Sequence, residues 1–180
     1  MARQTFEYLI YHPMWPTEWA LHFVPIAWAD YEYTGRTDLL TAYYDELRTK
    51  MLLPLAREDC LISTETGLLT SELLAALRLD SMKDIVDWPP ANSAEGVPGE
   101  RDGYEMLPVN TVVNAFHCWN LGLYAGIAAL LGHDDDQRVF AARHRAVADS
   151  IRRVCFDASR GVYLDGEGSS HASLHANMFP

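Results

Sequence analysis

The 180-residue sequence predicts an all-α fold of stacked αα-hairpins, as in a helical solenoid or an (α/α) toroid. Helical patterns come in pairs, and in each pair a helix that is apolar on nearly all sides precedes an amphipathic one. That order is expected where an outer layer of helices covers a buried inner layer. The predicted helices span about residues 17–33, 37–56, 110–131, 134–155 and 170–180.

The first predicted pair lies within residues 17–56. Pro16 and Thr17 form a turn and an N-cap before the first helix, and Gly35 ends it. Apolar residues cover most of the circumference of this helix, as expected when it is buried on several sides. In the second helix, apolar residues recur every three or four positions between 40 and 55, which predicts a single buried face.

The second predicted pair lies within residues 110–155. Its first helix carries apolar or small residues nearly all round and ends at Gly132. Its second helix is amphipathic, with three aspartates at 134–136 and two arginines at 152–153. Acidic residues at the start and basic residues at the end complement the helix dipole, so this helix is well defined by its sequence.

Two irregular stretches separate and follow these pairs. Residues 58–108 are too long for an ordinary connection unless they serve a function. Within them, residues 61–69 predict a short β-hairpin around the turn at 65–67. After the second pair, the turn at 159–161 predicts a small strand over Val162-Tyr163-Leu164.

Composition excludes several classes of function. The chain has 14 Lys+Arg and 25 Asp+Glu, a net charge of −11, which argues against nucleic acid and anionic membranes as partners. It contains no run of about 18 apolar residues and no glycine-rich nucleotide motif, so we expect neither a membrane span nor a cofactor. Three cysteines without CxxC spacing and a start without an apolar leader favour a cytoplasmic location.

The loop from 84 to 105 is rich in carboxylates. Glycoside hydrolysis requires such groups in pairs, one to protonate the leaving oxygen and one to activate water. A solvated acidic loop explains the composition equally well, and the spacing does not match an EF-hand calcium loop. The acidic residues are Asp84, Asp87, Glu95, Glu100, Asp102 and Glu105.

Tryptophan and histidine provide further candidates. Trp19, in the first turn of a buried helix, and Trp88, in a proline-flanked loop, are candidate platforms on which the apolar face of a sugar could stack. Trp28 and Trp119, within apolar helices, are predicted to pack in the core. His171 and His175 have the i, i+4 spacing of a zinc pair. No HExxH pattern or third ligand accompanies them, so we predict no metal and favour a sugar contact or a structural role.

Seven short sequence motifs, spread along nearly the whole chain, match the motifs of a known family in the same order. They resemble the inner helices and turns of the α-L-rhamnosidases of glycoside hydrolase family 78. The strings are PTEWALHF at 16–23, YTGRTDLL at 33–40, DIVDWP at 84–89, RDGY at 101–104, NTVVNAF at 110–116, GVYLDG at 161–166 and HASLHANMFP at 171–180.

The resemblance implies a catalytic domain with an (α/α)6 toroid, here partial, with small β-hairpin and loop insertions. It also implies inverting hydrolysis of terminal α-L-rhamnosides by two carboxylates, and hence a rhamnose-containing carbohydrate as the partner. The positions that carry over are substrate contacts: Trp19, Asp87, Trp88, His175 and Asn177.

This sequence departs from the family pattern in its catalytic residues. The family's general acid lies in a motif resembling Asp-Cys-Pro-x-Arg-Glu, and its general base follows a later helical hairpin; neither is found in these residues. We therefore expect residues 1–180 to be a single partial domain, the middle segment of the barrel. Two alternatives stay open: a non-catalytic helical-repeat module that binds carbohydrate or protein, and a glutamate within 100–105 that has taken over catalysis.

Overall fold

The computed structural model describes residues 2–86 and 104–180, with side chains from Gln4 onward. These residues form an all-α structure with a short β-hairpin, as predicted. None of the helices in the two described stretches is long and apolar enough to cross a membrane. The elements are α1 (Ala2–Tyr11), α2 (Thr17–Leu21), α3 (Phe23–Thr34), α4 (Asp38–Ala42), α5 (Tyr44–Thr49), α6 (Ser71–Leu77), α7 (Thr111–Leu131), α8 (Asp134–Cys155), β1 (Phe156–Asp157), β2 (Val162–Tyr163) and α9 (Leu174–Met178).

The long hairpin of α7 and α8 has the bounds that the sequence predicts. Asn110 caps α7, since its Oδ1 accepts a hydrogen bond from the N–H of Val113 at 2.9 Å. Gly132 ends the helix with a φ of 78°, a left-handed conformation that glycine adopts at little cost. Most of α7 is buried, whereas α8 buries one stripe that includes Phe140 and Val147. The predicted order of a buried helix followed by an amphipathic one is therefore confirmed here.

The predicted helix over 17–33 is wrong in one respect, because the structure divides it at His22 into α2 and α3. Pro25 has no N–H to donate to the Leu21 carbonyl, and in a continuous helix its ring would clash with that carbonyl. The Leu21 carbonyl instead accepts a hydrogen bond from Asn120 Nδ2 of α7 at 2.7 Å. The break in the helix thus joins α2 to α7.

The predicted helix over 37–56 is also wrong in its continuity and its end. It is divided at Tyr43 into α4 and α5, and α5 ends at Thr49. Leu52 then adopts a left-handed φ of 51°, followed by one 3₁₀ turn that contains Pro54. Pro54 has no N–H to donate to the Lys50 carbonyl and would clash with it in a continuous helix, so the apolar periodicity continues beyond the point where the helix can.

Residues 58–108 contain a helix that periodicity did not reveal. This is α6, which Thr70 caps by accepting a hydrogen bond from the N–H of Leu73 at 3.2 Å. The hairpin predicted over 61–69 is wrong, since Ile62 forms only an isolated bridge with Ala56. The side-chain amide of Asn114 instead bonds both the N–H and the carbonyl of Ile62, at 2.8 and 3.1 Å, and so uses the groups that a hairpin partner would need.

The structure also differs from the sequence-based predictions near both ends of the described chain. The helix α1 was not predicted; its Phe6 is buried and packs edge-on against Phe23, with ring centroids 5.9 Å apart. The last helix begins at Leu174 and not near 170, because Ser173 is its N-cap. The predicted strand after the turn at 159–161 is confirmed, and it pairs with β1 in an antiparallel hairpin.

Two apolar clusters form the core. The larger one lies between α1, α3, α4, α5, α7 and α8, and includes Tyr124, whose hydroxyl donates to the Tyr44 carbonyl at 3.0 Å. The smaller one joins α2 and α6 to Val113 of α7. Since α2 and α7 share this second cluster, the loops that precede them are held near each other.

We predict that Asn120→Ala destabilises the protein by about 1–3 kcal/mol, because the buried Leu21 carbonyl loses its donor. Adding Pro25→Ala supplies an N–H that can bond this carbonyl within the helix, so the double variant should recover part of the loss. Urea unfolding of both variants measures these differences. A double variant no more stable than Asn120→Ala would contradict the role given to Pro25.

Candidate active site

The segments that precede α2 and α7 are bonded to other loops through their backbones. The N–H of Thr17 donates to the Lys83 carbonyl at 3.1 Å, and the N–H of Lys83 donates to the Trp15 carbonyl at 3.1 Å. In the same way, the N–H of Thr111 donates to the Asp165 carbonyl at 2.9 Å. These bonds assemble one polar surface. We call it the loop face and define it as residues 15–19, 62–65, 81–86, 104–110 and 164–173.

Asn114 fastens one part of the loop face to α7. Besides its two bonds to Ile62, its Nδ2 donates to the Asn110 carbonyl at 2.9 Å, and the whole residue is buried. The neighbouring Ser63 hydroxyl donates to the Pro108 carbonyl. Residues 62–63 therefore have a defined position against the start of α7.

Asp165 joins residues 104–105 of the loop face to residues 171–173. Its side chain is 0% exposed. Its Oδ2 accepts the N–H of Glu105 and lies 2.7 Å from His171 Nδ1, and its Oδ1 accepts the N–H of Ser173 at 2.8 Å. The Tyr104 hydroxyl donates to its carbonyl at 3.0 Å. Burial would raise the pKa of Asp165, but these donors outweigh burial and lower it.

Glu18 and Asp84 form a second buried group of carboxyls. Asp84 is 2% exposed, and its Oδ2 accepts the N–H of Thr64 at 3.0 Å. Its Oδ1 and the Oε2 of Glu18 are both enclosed, and neither has a hydrogen-bond partner among the described residues. The Thr17 hydroxyl is also enclosed, and it interacts with the Asp84 carboxyl.

The environment of these two carboxyls favours their protonated forms. Burial raises the pKa of Glu18 to about 7, and the charge of Asp84 adds to this, while the N–H groups of Glu18 and Ile85 oppose it. Burial also raises the pKa of Asp84, against the bonds from Thr17 and Thr64. A carboxyl that titrates near neutral pH is suited to donate a proton or a hydrogen bond, which an ordinary surface glutamate cannot do at that pH.

Trp19 lies next to Glu18 and faces outward. Its side chain is 45% exposed and contributes to the wall of an open, largely apolar cavity of about 500 Å³ between α1 and the start of α3. Other residues of the wall are Tyr8, Leu9, Met14, His22 and Ile26. An exposed indole at the edge of a cavity is what stacking of a sugar ring requires.

Of the other site residues predicted from the sequence, some lie within the described residues and some outside them. Asp87 and Trp88, like Glu95, Glu100 and Asp102, lie outside the described residues. Glu105 is described, and it accepts a hydrogen bond from the Ser169 hydroxyl at 2.6 Å. Of the predicted substrate contacts, the structure therefore describes Trp19, His175 and Asn177.

Asn177 and His175 lie on α9. The Nδ2 of Asn177 donates to the carbonyls of Tyr163 and Ser173, each at 2.9 Å, and its Oδ1 accepts the N–H of Tyr163 at 2.8 Å. These bonds attach α9 to the β-hairpin and give Asn177 a structural role. His175 is half-buried on the same helix. Sugar contacts by either residue stay predictions.

Glu18 could not be recognised from the sequence. Acidic residues are common in the first turn of helices because they complement the dipole, so Glu18 looked ordinary. Part of the rise in its pKa comes from the charge of Asp84, which is 66 positions further along the chain. Neither periodicity nor local spacing carries that information. Across 2–86 and 104–180, no group of three or more His, Cys, Asp or Glu residues is arranged to hold a metal ion.

Comparison with known proteins agrees with the helical architecture. A family model described as the bacterial alpha-L-rhamnosidase 6 hairpin glycosidase domain matches residues 10–180. Among curated proteins, none matches the chain.

We predict that Glu18 makes the protein less stable as the pH rises. Its pKa is about 7 in the fold and near 4.5 without burial, so the folded state binds more protons in between and loses stability as the pH rises through this window. Glu18→Gln cannot titrate, so between pH 4.5 and 8 the wild type should lose about 2 kcal/mol relative to it. Urea unfolding across this range measures the difference.

Glu72→Gln is the matched control, since Glu72 is an exposed glutamate in the first turn of α6 whose pKa is lowered by nearby donors. Relative to that variant, the wild type should not lose stability as the pH rises. Parallel pH profiles for the wild type and Glu18→Gln would contradict the assignment of the raised pKa to Glu18.

Proposed function

Because the chain belongs to the bacterial α-L-rhamnosidase six-hairpin glycosidase family, we propose that it takes part in the inverting hydrolysis of terminal α-L-rhamnosides. A glycosidase domain of this class acts on carbohydrate, and the loop face offers the aromatic and acidic groups that sugar binding uses. The observation that carries the proposal is the exposed Trp19 indole in the wall of an open, largely apolar cavity.

Trp19 is proposed as the platform of the rhamnose subsite. One face of rhamnose is apolar, and its methyl group adds further apolar surface, so stacking on an indole releases water from both partners. The cavity beside Trp19 is lined mainly by apolar groups, which suits this contact. Asp87 and Trp88 are proposed to contribute to the same subsite, as the resemblance implies.

The residues that hydrolyse the bond are assigned separately. An inverting enzyme places its acid and its base about 6.5–9.5 Å apart on opposite sides of the sugar, with room for a water molecule. The resemblance implies that the general acid and the general base both lie outside these 180 residues, and we propose the same. The loop face described here then forms one wall of the sugar site, within a middle segment of an (α/α)6 barrel.

The test is hydrolysis of 4-nitrophenyl α-L-rhamnoside by the full gene product, compared with the corresponding glucoside and galactoside. We expect activity on the rhamnoside, and we expect Trp19→Ala to raise KM about tenfold with a smaller change in kcat, because stacking is present before and during the reaction.

Trp119→Ala is the matched control. Trp119 is 50% exposed on α7 and lines a different cavity, so its removal should leave KM nearly unchanged. Activity on another glycoside but not on the rhamnoside would contradict the proposed substrate. Sugar binding that depends on Trp19 without any hydrolysis would instead identify a carbohydrate-binding module.

A further inference from the structure

Two histidines lie in the wall of the cavity to which Trp19 contributes. They are His12, directly after α1, and His22, between α2 and α3, and both line the same open space of about 500 Å³. Small-molecule sites in proteins have volumes of about 300–1,000 Å³, so this cavity is large enough for a sugar ring. Among the described residues, no aspartate, glutamate, lysine or arginine lines it. The two imidazoles are therefore the strongest side-chain acceptors in a wall that is otherwise mainly apolar.

A backbone carbonyl fixes each imidazole in the same tautomer. His12 Nδ1 lies 2.9 Å from the Tyr8 carbonyl oxygen, and His22 Nδ1 lies 2.5 Å from the Glu18 carbonyl oxygen. Because a carbonyl oxygen can only accept, Nδ1 carries the hydrogen in both rings. In a neutral ring of this tautomer, Nε2 is an acceptor. Neither Nε2 atom has a hydrogen-bond partner among the described residues.

Aromatic neighbours hold both imidazole rings in position. The ring of His12 stacks on Tyr8, with centroids 4.4 Å apart and planes 15° from parallel. The ring of His22 packs against Phe116 of α7, with centroids 5.0 Å apart. Since each ring has both a hydrogen bond and an aromatic contact, its orientation is set before a ligand binds. Such preorganisation lowers the entropic cost of binding.

We infer that His12 and His22 bind two hydroxyl groups of the sugar that stacks on Trp19, each accepting a hydrogen bond through Nε2. The apolar face of the sugar lies on the indole, and hydroxyls at the edge of the ring donate to the imidazoles. Both histidines are binding residues that set specificity, and neither takes part in bond cleavage. The inference rests on the proposed function, because its ligand is the sugar assigned there to Trp19.

The chemistry of the wall favours a neutral sugar over other small ligands. An ionised carboxylate or phosphate offers acceptors, and the neutral Nε2 atoms cannot donate to it. Zinc binds imidazoles whose other nitrogen donates to a carbonyl, but its sites in proteins have at least three protein ligands. The described part of the cavity wall provides two imidazoles. A sugar has both an apolar face for the indole and hydroxyl hydrogens for the two acceptors.

The test is a cycle of protein variants and deoxy sugars, with binding to the full gene product measured by calorimetry. The ligands are methyl α-L-rhamnoside and its 2-, 3- and 4-deoxy forms. His12→Phe and His22→Phe keep an aromatic ring and remove the acceptor, so each should bind the parent sugar about five- to tenfold more weakly. In the wild type, two of the three deoxy sugars should show a similar loss. In each variant one of these two losses should vanish, because the partner of that hydroxyl is already absent.

His133→Phe is the matched control. His133 is exposed, stacks on Tyr44 and lines a different cavity, so this variant should keep the wild-type pattern for all the deoxy sugars. A second measurement uses the wild type alone, with ¹⁵N-labelled histidine. The Nε2 resonances of His12 and His22 should be those of acceptor nitrogens and should shift when methyl α-L-rhamnoside is added.

The possible outcomes separate this inference from the proposed function. Losses that simply add between variants and deoxy sugars, or Nε2 resonances that do not change at saturating sugar, would overturn the inference and leave the proposed function in place. Zinc binding that both variants abolish, without coupling to any hydroxyl, would identify a metal site and overturn it as well. A full gene product that neither binds nor hydrolyses α-L-rhamnosides would overturn both.

Discussion

The arrangement of residues 104–110 and 164–173 in the loop face depends on the buried carboxylate of Asp165. Its two oxygens accept hydrogen bonds from the N–H groups of Glu105 and Ser173 and contact His171, which brings together segments up to 68 positions apart. A buried carboxylate is costly unless such donors surround it, so all these segments must be in place at once. The same residue bonds the start of α7 through its backbone, and the site is thereby attached to the longest buried helix.

Glu18 and Asp84 lie on the same loop face, but their pKa values are shifted in the opposite direction to that of Asp165. Donors surround Asp165 and lower its pKa, whereas burial without sufficient donors raises the pKa of both Glu18 and Asp84. A fully bonded carboxylate contributes to stability and has no remaining capacity for a ligand. A carboxyl with an unpaired oxygen costs stability in the free protein, and this cost is recovered when a ligand bonds to it. This contrast separates the fully bonded Asp165 from two carboxyls whose burial is not fully compensated by donors.

The sequence predicted the parts of the fold that depend on long, regular patterns. The helices α7 and α8 have many turns and clear caps, so their bounds were predictable. The breaks at His22 and Tyr43 were not, because apolar periodicity continues through them and only Pro25 hinted at the first. Trp19 was predicted as a sugar platform from its place in a first turn; the structure shows it exposed, and its contact with a sugar stays a prediction. Glu18 was missed, since its burial is created by residues far along the chain.

Asp165→Asn tests most directly whether one buried carboxylate holds the loop face together. The amide replaces an acceptor oxygen with a donor that faces other donors, so we expect a loss of about 3 kcal/mol in the free energy of unfolding. We also expect weaker binding of L-rhamnose in the fraction that remains folded. Asp149→Asn, at an exposed position of α8, should change stability by less than about 0.5 kcal/mol. An Asp165→Asn variant that is as stable as this control, and binds the sugar as well, would contradict the central role of Asp165.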